Sequence, residues 1–366
     1  MIDLPMDEQI KRKQEMVQGC IGAYGPVEPV IRMKNPDRYR NKVTSVFALD
    51  NKRRPACGVY RMGTHELIPV QNCLLENKRA DAVVRMIFSM LPRYGLKVYD
   101  EDSGFGLVRA VQVRSAHCGR NLMVTIVTSS ARFPKAQYFV EELTKAFPEI
   151  VTVVQNINER STSMILGERE KVLFGDGYVE DTLLGKRFRI SSRSFYQVNP
   201  VQTEKLYNIA IDCAGLTGKE LVLDAYCGIG TIGICASEKC REVMAVEING
   251  DAVRCAAVNA KLNGADNVSV YEDDAGRFME KLADDGNAPD VVFMDPPRSG
   301  ATQQFLDAII RLMPQKIVYI SCNPVTLGEN LSVLTQSGYR MKKAVPVDMF
   351  PYTGHVETVV LLTRNT

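Results

Sequence analysis

The second half of the chain alternates short apolar runs with stretches long enough for a helix, and few folds accept that rhythm. From about residue 190 the runs are LVLDAY (221–226), EVMAVE (242–247), VSVYED (268–273), DVVFMD (290–295) and KIVYIS (316–321). Near-continuous apolar strands separated by helices specify a parallel sheet covered on both faces. In such sheets ligands sit beyond the carboxyl ends of the strands. Chemistry is therefore expected in the residues that follow each run. Asn199-Pro200 marks a helix start just before the first one, with Asn as N-cap and Pro in the first turn.

The first half reads differently. Residues 7–19 suggest a short helix with Ile10, Met16 and Val17 as its apolar positions, and residues 76–91 and 134–146 suggest two more. Between about 43 and 190 the patterning is otherwise that of strands. LVRAVQV (107–113) and LMVTIVT (122–128) flank the turn-like 117–121, and VLF (172–174) and YVEDTLL (178–184) flank Gly175-Asp176-Gly177, a second hairpin signal. The expected class is α/β overall: an N-terminal α+β domain with an antiparallel sheet, then a Rossmann-like domain with a mostly parallel one. At 366 residues two domains are the default. The expected division is a helical segment at 1–30, a central α+β domain at 31–190 and the parallel-sheet domain at 191–366.

Composition excludes several classes. With 45% hydrophobic and 24% charged residues the chain is neither a disordered tail nor a fibre. No apolar run approaches the ~18 residues of a membrane helix, and the N-terminus lacks a signal-peptide core. Ten scattered cysteines fit a reduced compartment, so a cytoplasmic protein without membrane contact is expected. The net charge of +2 is uninformative, but residues 32–61 carry nine basic side chains against Asp37 and Asp50. That local excess suits a phosphate backbone.

After LVLDAY comes Cys227-Gly228-Ile229-Gly230-Thr231-Ile232-Gly233, a G-x-G-x-x-G loop between a strand and a helix, with Glu247 ending the next strand. Glycine allows the tight turn and a close backbone approach, and an acid at Glu247 can accept ribose hydroxyls. A dinucleotide and S-adenosylmethionine both fit that description. Asp224, four residues before Gly228, offers a carboxylate to a methionine ammonium, and Asp295-Pro296-Pro297-Arg298 makes a rigid loop that hydride transfer does not require. The segment is read as an adenosylmethionine site.

Two further residues stand at chemically useful places. Cys322, in Ser321-Cys322-Asn323-Pro324, follows the fifth run, whereas the chain's other cysteines are read as small core hydrophobes. Glu357 opens the almost wholly apolar run to Leu362, where partial burial would raise its pKa and make it a usable base.

Together, Ser194-Phe195-Tyr196-Gln197-Val198-Asn199, Asp224 to Thr231, Asp295 to Gly300, Ser321 to Pro324 and His355-Val356-Glu357 resemble the ordered motif set of the RNA uracil-C5 methyltransferases, which modify transfer RNA and large-subunit ribosomal RNA. The resemblance covers essentially the whole chain. It implies a class I methyltransferase domain, Cys322 as nucleophile and Glu357 as general base. It also implies an adenosylmethionine site lined by Gln197, Asp224, Tyr226, Gly228, Gly230, Thr231, Glu247, Asp274 and Asp295. Arg38-Tyr39-Arg40-Asn41-Lys42 matches the family's RNA-contacting central domain, so Arg38, Arg40, Asn41 and Lys42 are the expected RNA contacts.

The chemistry accounts for the residue types. Uracil C5 is a poor nucleophile until a thiolate adds at C6, and a base must afterwards remove the C5 proton so that the thiol can leave. The uridine must also be flipped out of its stack. The chain departs from many family members in beginning past an N-terminal OB-like domain. Of four cluster cysteines only Cys73 is matched, so no iron–sulfur cluster and no metal are expected. The expected activity is methylation of uridine C5 in RNA by a monomer, with 23S ribosomal RNA as substrate and transfer RNA as the alternative. Methylation of a base amine, a non-catalytic RNA-binding module and an NAD-dependent oxidoreductase are the competing readings.

Overall fold

The structure is a computed structural model and describes residues 1–160 and 164–365. The chain divides into two compact units: Met1–Pro36, Leu183–Phe188 and Ser194–Thr366 form one, and Asp37–Thr182 with Arg189–Arg193 the other. Residues 1–30, expected as a segment of their own, thus cluster with the C-terminal unit. The reason is the face presented by helix α1 (Met6–Ile21), which buries Gln9, Lys13, Val17 and Ile21 at a spacing of four. Of the three expected apolar positions only Val17 is fully buried, and Met16 is 43% exposed. Beyond α1 the chain runs extended, with Val27 and Ile31 bridging in parallel to Ala344 and Val347.

The central unit is built on β1 (Lys42–Leu49), β2 (Pro55–Tyr60), β3 (Leu67–Pro69), helix α2 (Lys78–Met90), β4 (Val108–Ser115), β5 (Leu122–Thr128), helix α3 (Ala136–Ala146), β6 (Ile150–Ile157) and β7 (Arg169–Phe174). Among the described residues these strands form one sheet in the order β3-β2-β1-β4-β5-β6-β7. Every pairing is antiparallel except β5 with β6, where α3 makes the crossover. Alternate residues of the sheet, among them Val43, Phe47, Val111 and Val113, bury against Ile87 of α2 and Phe139 of α3.

One hairpin lies elsewhere than expected. β7 pairs with β6 and not with the strand after Gly175-Asp176-Gly177. Thr152 on β6 captures that turn: its hydroxyl donates to Phe174 O at 2.8 Å and accepts from the Gly177 N–H at 2.9 Å. The hairpin that does form joins β8 (Tyr178–Leu183) to β9 (Lys186–Ser191). Its two-residue turn, Leu184-Gly185, is left-handed at both positions, which matches the twist of the flanking strands.

The C-terminal unit follows with α4 (Pro200–Ala214), β10 (Leu221–Ala225), α5 (Thr231–Ala236), β11 (Glu242–Glu247), α6 (Gly250–Leu262), β12 (Val268–Glu272), α7 (Ala275–Asp284), β13 (Val291–Met294), α8 (Gln303–Leu312), β14 (Lys316–Ser321), α9 (Pro324–Gln336), β15 (Tyr339–Val347) and β16 (Glu357–Arg364). The strand order is β12-β11-β10-β13-β14-β16-β15. The first five strands are parallel, and they are the five apolar runs of the sequence. β16 inserts antiparallel between β14 and β15. The order reverses at β10, so the carboxyl ends of β10 and its neighbours border the crevice where such sheets bind ligands.

The basic stretch 32–61 is less charged in space than in sequence. Arg32 pairs with Asp7, Arg53 with Asp100 and Asp102, Arg54 with Asp50 and Arg61 with Glu66. No described helix is long and apolar enough to cross a membrane.

Candidate functional site

The loop after β10 turns through three left-handed residues, Tyr226 (φ 63°), Gly228 (57°) and Gly230 (82°), before α5 begins. Gly230 favours glycine through its positive φ, and an added Cβ would also press on the tip of Ile234 at 2.9 Å. Tyr226 holds its conformation at a cost of the order of 1 kcal/mol or more, with its ring packed on Phe305 at 5.4 Å between centroids.

Asp224, at the end of β10, is 1% exposed. Its Oδ2 accepts the Gly233 N–H at 2.7 Å, which ties the loop back to the strand. Among the described residues Oδ1 has no partner. Burial pushes this carboxyl up to about 7, helped by the charges of Asp295 and Glu247 and opposed by the Gly233 N–H. The carboxylate expected to face a ligand thus gives one oxygen to the loop and keeps the other as a buried, unused acceptor.

Glu247, Thr231, Asp274 and Asp295 border the same strand ends. Glu247, ending β11, accepts the Gly228 N–H at 3.0 Å and the Asn249 N–H at 2.8 Å. Thr231 Oγ1 donates to the hydroxyl of Tyr207, a buried residue of α4, at 3.4 Å. Asp274 follows β12 and caps α7 through the Arg277 N–H at 3.1 Å. Gln197 is buried just ahead of α4, whose N-cap is Asn199 with Pro200 in the first turn, as expected. Asp295 directly follows β13, and burial raises its carboxyl.

Cys322 and Glu357 meet through strand register. Ser321 on β14 lies opposite Thr358 on antiparallel β16, so the next residue of one strand adjoins the preceding residue of the other. Glu357 is 4% exposed; burial, and then the charge of Asp295, hold its carboxyl well above the usual range. Burial, Glu357 and Asp295 push the Cys322 thiol up to about 11, against a smaller opposing effect of Arg298. The two loops are laced together, since Arg298 O accepts Asn323 Nδ2 at 3.1 Å and Thr326 Oγ1 at 3.2 Å. Asn330 of α9 supports the same loop, its Oδ1 accepting the Ala301 N–H at 2.9 Å and the Tyr319 hydroxyl at 2.7 Å.

The segment leading into Glu357 is held mostly by residues to which the sequence reading assigned no role. Lys13 forms an ion pair with Asp348 at 2.5 Å, each side chain 1% exposed, and also donates to Phe350 O at 3.0 Å. Gln9 Oε1 accepts the Tyr352 N–H at 2.9 Å. From α4, Asn199 Nδ2 donates to Met349 O at 2.8 Å and Gln202 Nε2 to Asp348 O at 3.0 Å. The available signal was Gln9 and Lys13 standing on the same stripe of α1 as Val17 and Ile21. Polar groups on a buried face require partners.

The four expected RNA residues lie in the central unit. Arg38 (φ 59°) donates to Asn72 Oδ1 at 2.5 Å and to the carbonyls of Cys73 and Glu76, so its guanidinium serves the fold. Asn41 is buried. The half-buried Lys42 ammonium is pushed down to about 8 by burial and by the charges of Arg114 and Arg40. The Arg40 backbone N–H donates to Leu75 O at 2.9 Å. Cys73 is a free thiol.

Comparison with known proteins places this arrangement. The model of the family described as tRNA (uracil-5-)-methyltransferase matches residues 141–365. An uncharacterised RNA methyltransferase of Listeria innocua is 41% identical over 98% of this chain and 80% of its own length. One of Oceanobacillus iheyensis is 37% identical over 98% of this chain and 79% of its own. Among solved structures, the Pyrococcus abyssi tRNA (uracil-54, C5)-methyltransferase in complex with S-adenosyl-L-homocysteine superposes with a TM-score of 0.79 at 24% identity, covering 98% of this chain and 84% of that one. By its family model and its relatives, the chain belongs to the RNA uracil-C5 methyltransferase family.

Proposed function

We propose that this enzyme methylates C5 of a uridine in RNA with S-adenosylmethionine as methyl donor, Cys322 as nucleophile and Glu357 as base. The observation that carries the reading is the adjacency of Cys322 and Glu357 beside Asp295, at the carboxyl ends of a parallel sheet.

The residues present fit the cofactor. Asp224 Oδ1 is a buried acceptor with no partner among the described residues, suited to an ammonium. The glycines between Tyr226 and Gly233 bring backbone close to the crevice. Gln197, Asp224, Tyr226, Gly228, Gly230, Thr231, Glu247, Asp274 and Asp295 would hold it. Bound adenosylmethionine supplies an electrophilic methyl group.

The protein's own part begins with loss of the Cys322 proton to solvent, which leaves Glu357 free for the later step. The thiolate adds to uracil C6, and the electron pair of the C5–C6 double bond makes C5 nucleophilic. Once C5 carries its methyl group, Glu357 removes the C5 proton, the double bond re-forms and the C6–S bond breaks to return the thiolate. A carboxyl held above its ordinary pKa is the stronger base for that removal.

The proposed substrate is 23S ribosomal RNA. Transfer RNA is the second reading, favoured by the description of the matching family. Incubating the enzyme with adenosylmethionine and each unmodified transcript, followed by nucleoside mass spectrometry, distinguishes them. Cys322→Ala is expected to abolish 5-methyluridine while retaining adenosylmethionine binding, and Glu357→Gln to accumulate an RNA–protein adduct stable to denaturant. Turnover by Cys322→Ala near the wild-type rate would overturn the nucleophile assignment.

A further inference from the structure

The central unit contains a cavity of about 400 Å³ that the methylation chemistry does not use. Its floor includes Thr44 and Val46 of β1 and Ala110 of β4, which alternate with the residues facing α2 and α3 and therefore belong to the opposite face of the sheet. Aromatic groups and two charges line it. The Tyr60 and His65 rings lie 5.5 Å apart, and the Arg109 guanidinium stacks over the Tyr99 ring at 4.5 Å.

Arg109 is 9% exposed. Its Nη1 donates to Asn158 O at 2.8 Å and Arg160 O at 2.6 Å. Among the described residues its Nε and Nη2 make no hydrogen bond. Near the mouth, Glu101 Oε2 lies 2.7 Å from His65 Nδ1. At the rim, Met164 is 69% exposed.

We propose that this cavity binds one unstacked base of the RNA, with guanine preferred: the base stacks against the tyrosine rings, and Arg109 and Glu101 read its edge. A free phosphate would meet the Glu101 carboxylate in the same space, and an aliphatic ligand would make no use of the remaining Arg109 donors. A nucleobase has the flat π face that aromatic and guanidinium planes take up in single-stranded RNA recognition. Guanine alone among the bases presents O6 and N7 acceptors to an arginine and N1–H and N2–H donors to a carboxylate. The volume falls at the small end of ligand pockets.

The proposal rests on the substrate being RNA, so the test reads binding and methylation separately. Binding of the full chain to unstructured twelve-nucleotide RNAs differing in one central base is followed by fluorescence anisotropy. The guanine-containing RNA is expected to bind at least about fivefold more tightly than the uracil one. Tyr60→Leu should weaken it by about five- to hundredfold, and Glu101→Gln should erase the base preference, with melting temperatures unchanged in both. Equal binding of all four RNAs, or no loss in Tyr60→Leu, overturns the pocket, and 5-methyluridine formation by the wild type would still leave the methylation reading standing. A guanine preference that disappears in Glu101→Gln supports the pocket even if no RNA is methylated, an outcome that overturns the methylation reading alone. No binding to any of the four RNAs overturns the pocket.

Discussion

Alkylation of Cys322 in the unliganded enzyme tests the electrostatics of the site without any RNA. The thiol is pushed from an ordinary 9.0 up to about 11, so at pH 8 its thiolate fraction is about a hundredfold below that of an ordinary cysteine. The more basic thiolate is the better nucleophile; with a Brønsted coefficient of about 0.4–0.5, two pH units return a factor of roughly six to ten. The net expectation is alkylation by iodoacetamide about tenfold slower at pH 8 than for the same cysteine in the urea-unfolded chain. The profile is the sharper readout. Followed peptide by peptide with mass spectrometry, the Cys322 rate should climb nearly tenfold per pH unit from 8 to beyond 10. Glu357→Gln removes a charge that holds the thiol up and should bring the plateau down, whereas Arg298→Met should move it higher. Adenosylmethionine, whose sulfonium is positive, should lower the plateau, and S-adenosylhomocysteine should not. A profile that levels off by about pH 10 in the unliganded wild type, as an ordinary thiol's does, would refute the argument that burial, Glu357 and Asp295 hold this thiol up.

Three further outcomes are expected. The Asp224 carboxyl is raised to about 7 from an ordinary 3.8, so its ionisation opposes folding by an amount that is absent below pH 4, grows between pH 4 and 7 and is constant above. Asp224→Asn should therefore melt higher than wild type at pH 8 by a margin of the order of a few kcal/mol that closes toward pH 4, and should lose adenosylmethionine binding; calorimetry across that range checks both. Lys13→Met leaves Asp348 as an unpaired buried carboxylate and should cost about 3–5 kcal/mol in urea unfolding, most of it restored in Lys13→Met/Asp348→Leu. Asn330→Ala removes the acceptor shared by the Ala301 N–H and the Tyr319 hydroxyl, and should lower stability by about 1–3 kcal/mol and slow methylation more than it weakens adenosylmethionine binding.

The parallel strands of the C-terminal unit were readable because strands covered on both faces become unbroken apolar runs, and DVVFMD or KIVYIS has few other uses. Local turn chemistry was less informative. Gly175-Asp176-Gly177 has the composition of a hairpin, yet Thr152, distant in sequence, decides where it folds. Charge counted along the chain left out pairing across the fold, since Arg53 finds Asp100 and Asp102 only after the sheet has brought them together. Cys322 and Glu357 could each be suspected from position, but their adjacency depends on the register of β14 against β16. The Lys13–Asp348 pair spans almost the whole chain and left only a lysine on an apolar helix face as a trace.

The placement of β16 has a consequence for incomplete chains. β16 follows β15 in sequence but lies inside it in the sheet, so a chain cut before Glu357 leaves β14 and β15 each with a bare edge of unpaired backbone groups. Such edges recruit other strands. The residue that opens the missing strand is Glu357 itself, so the truncation that removes the proposed base also removes the means of closing the sheet. A chain cut there is therefore expected to associate through its open edges instead of remaining a stable monomer.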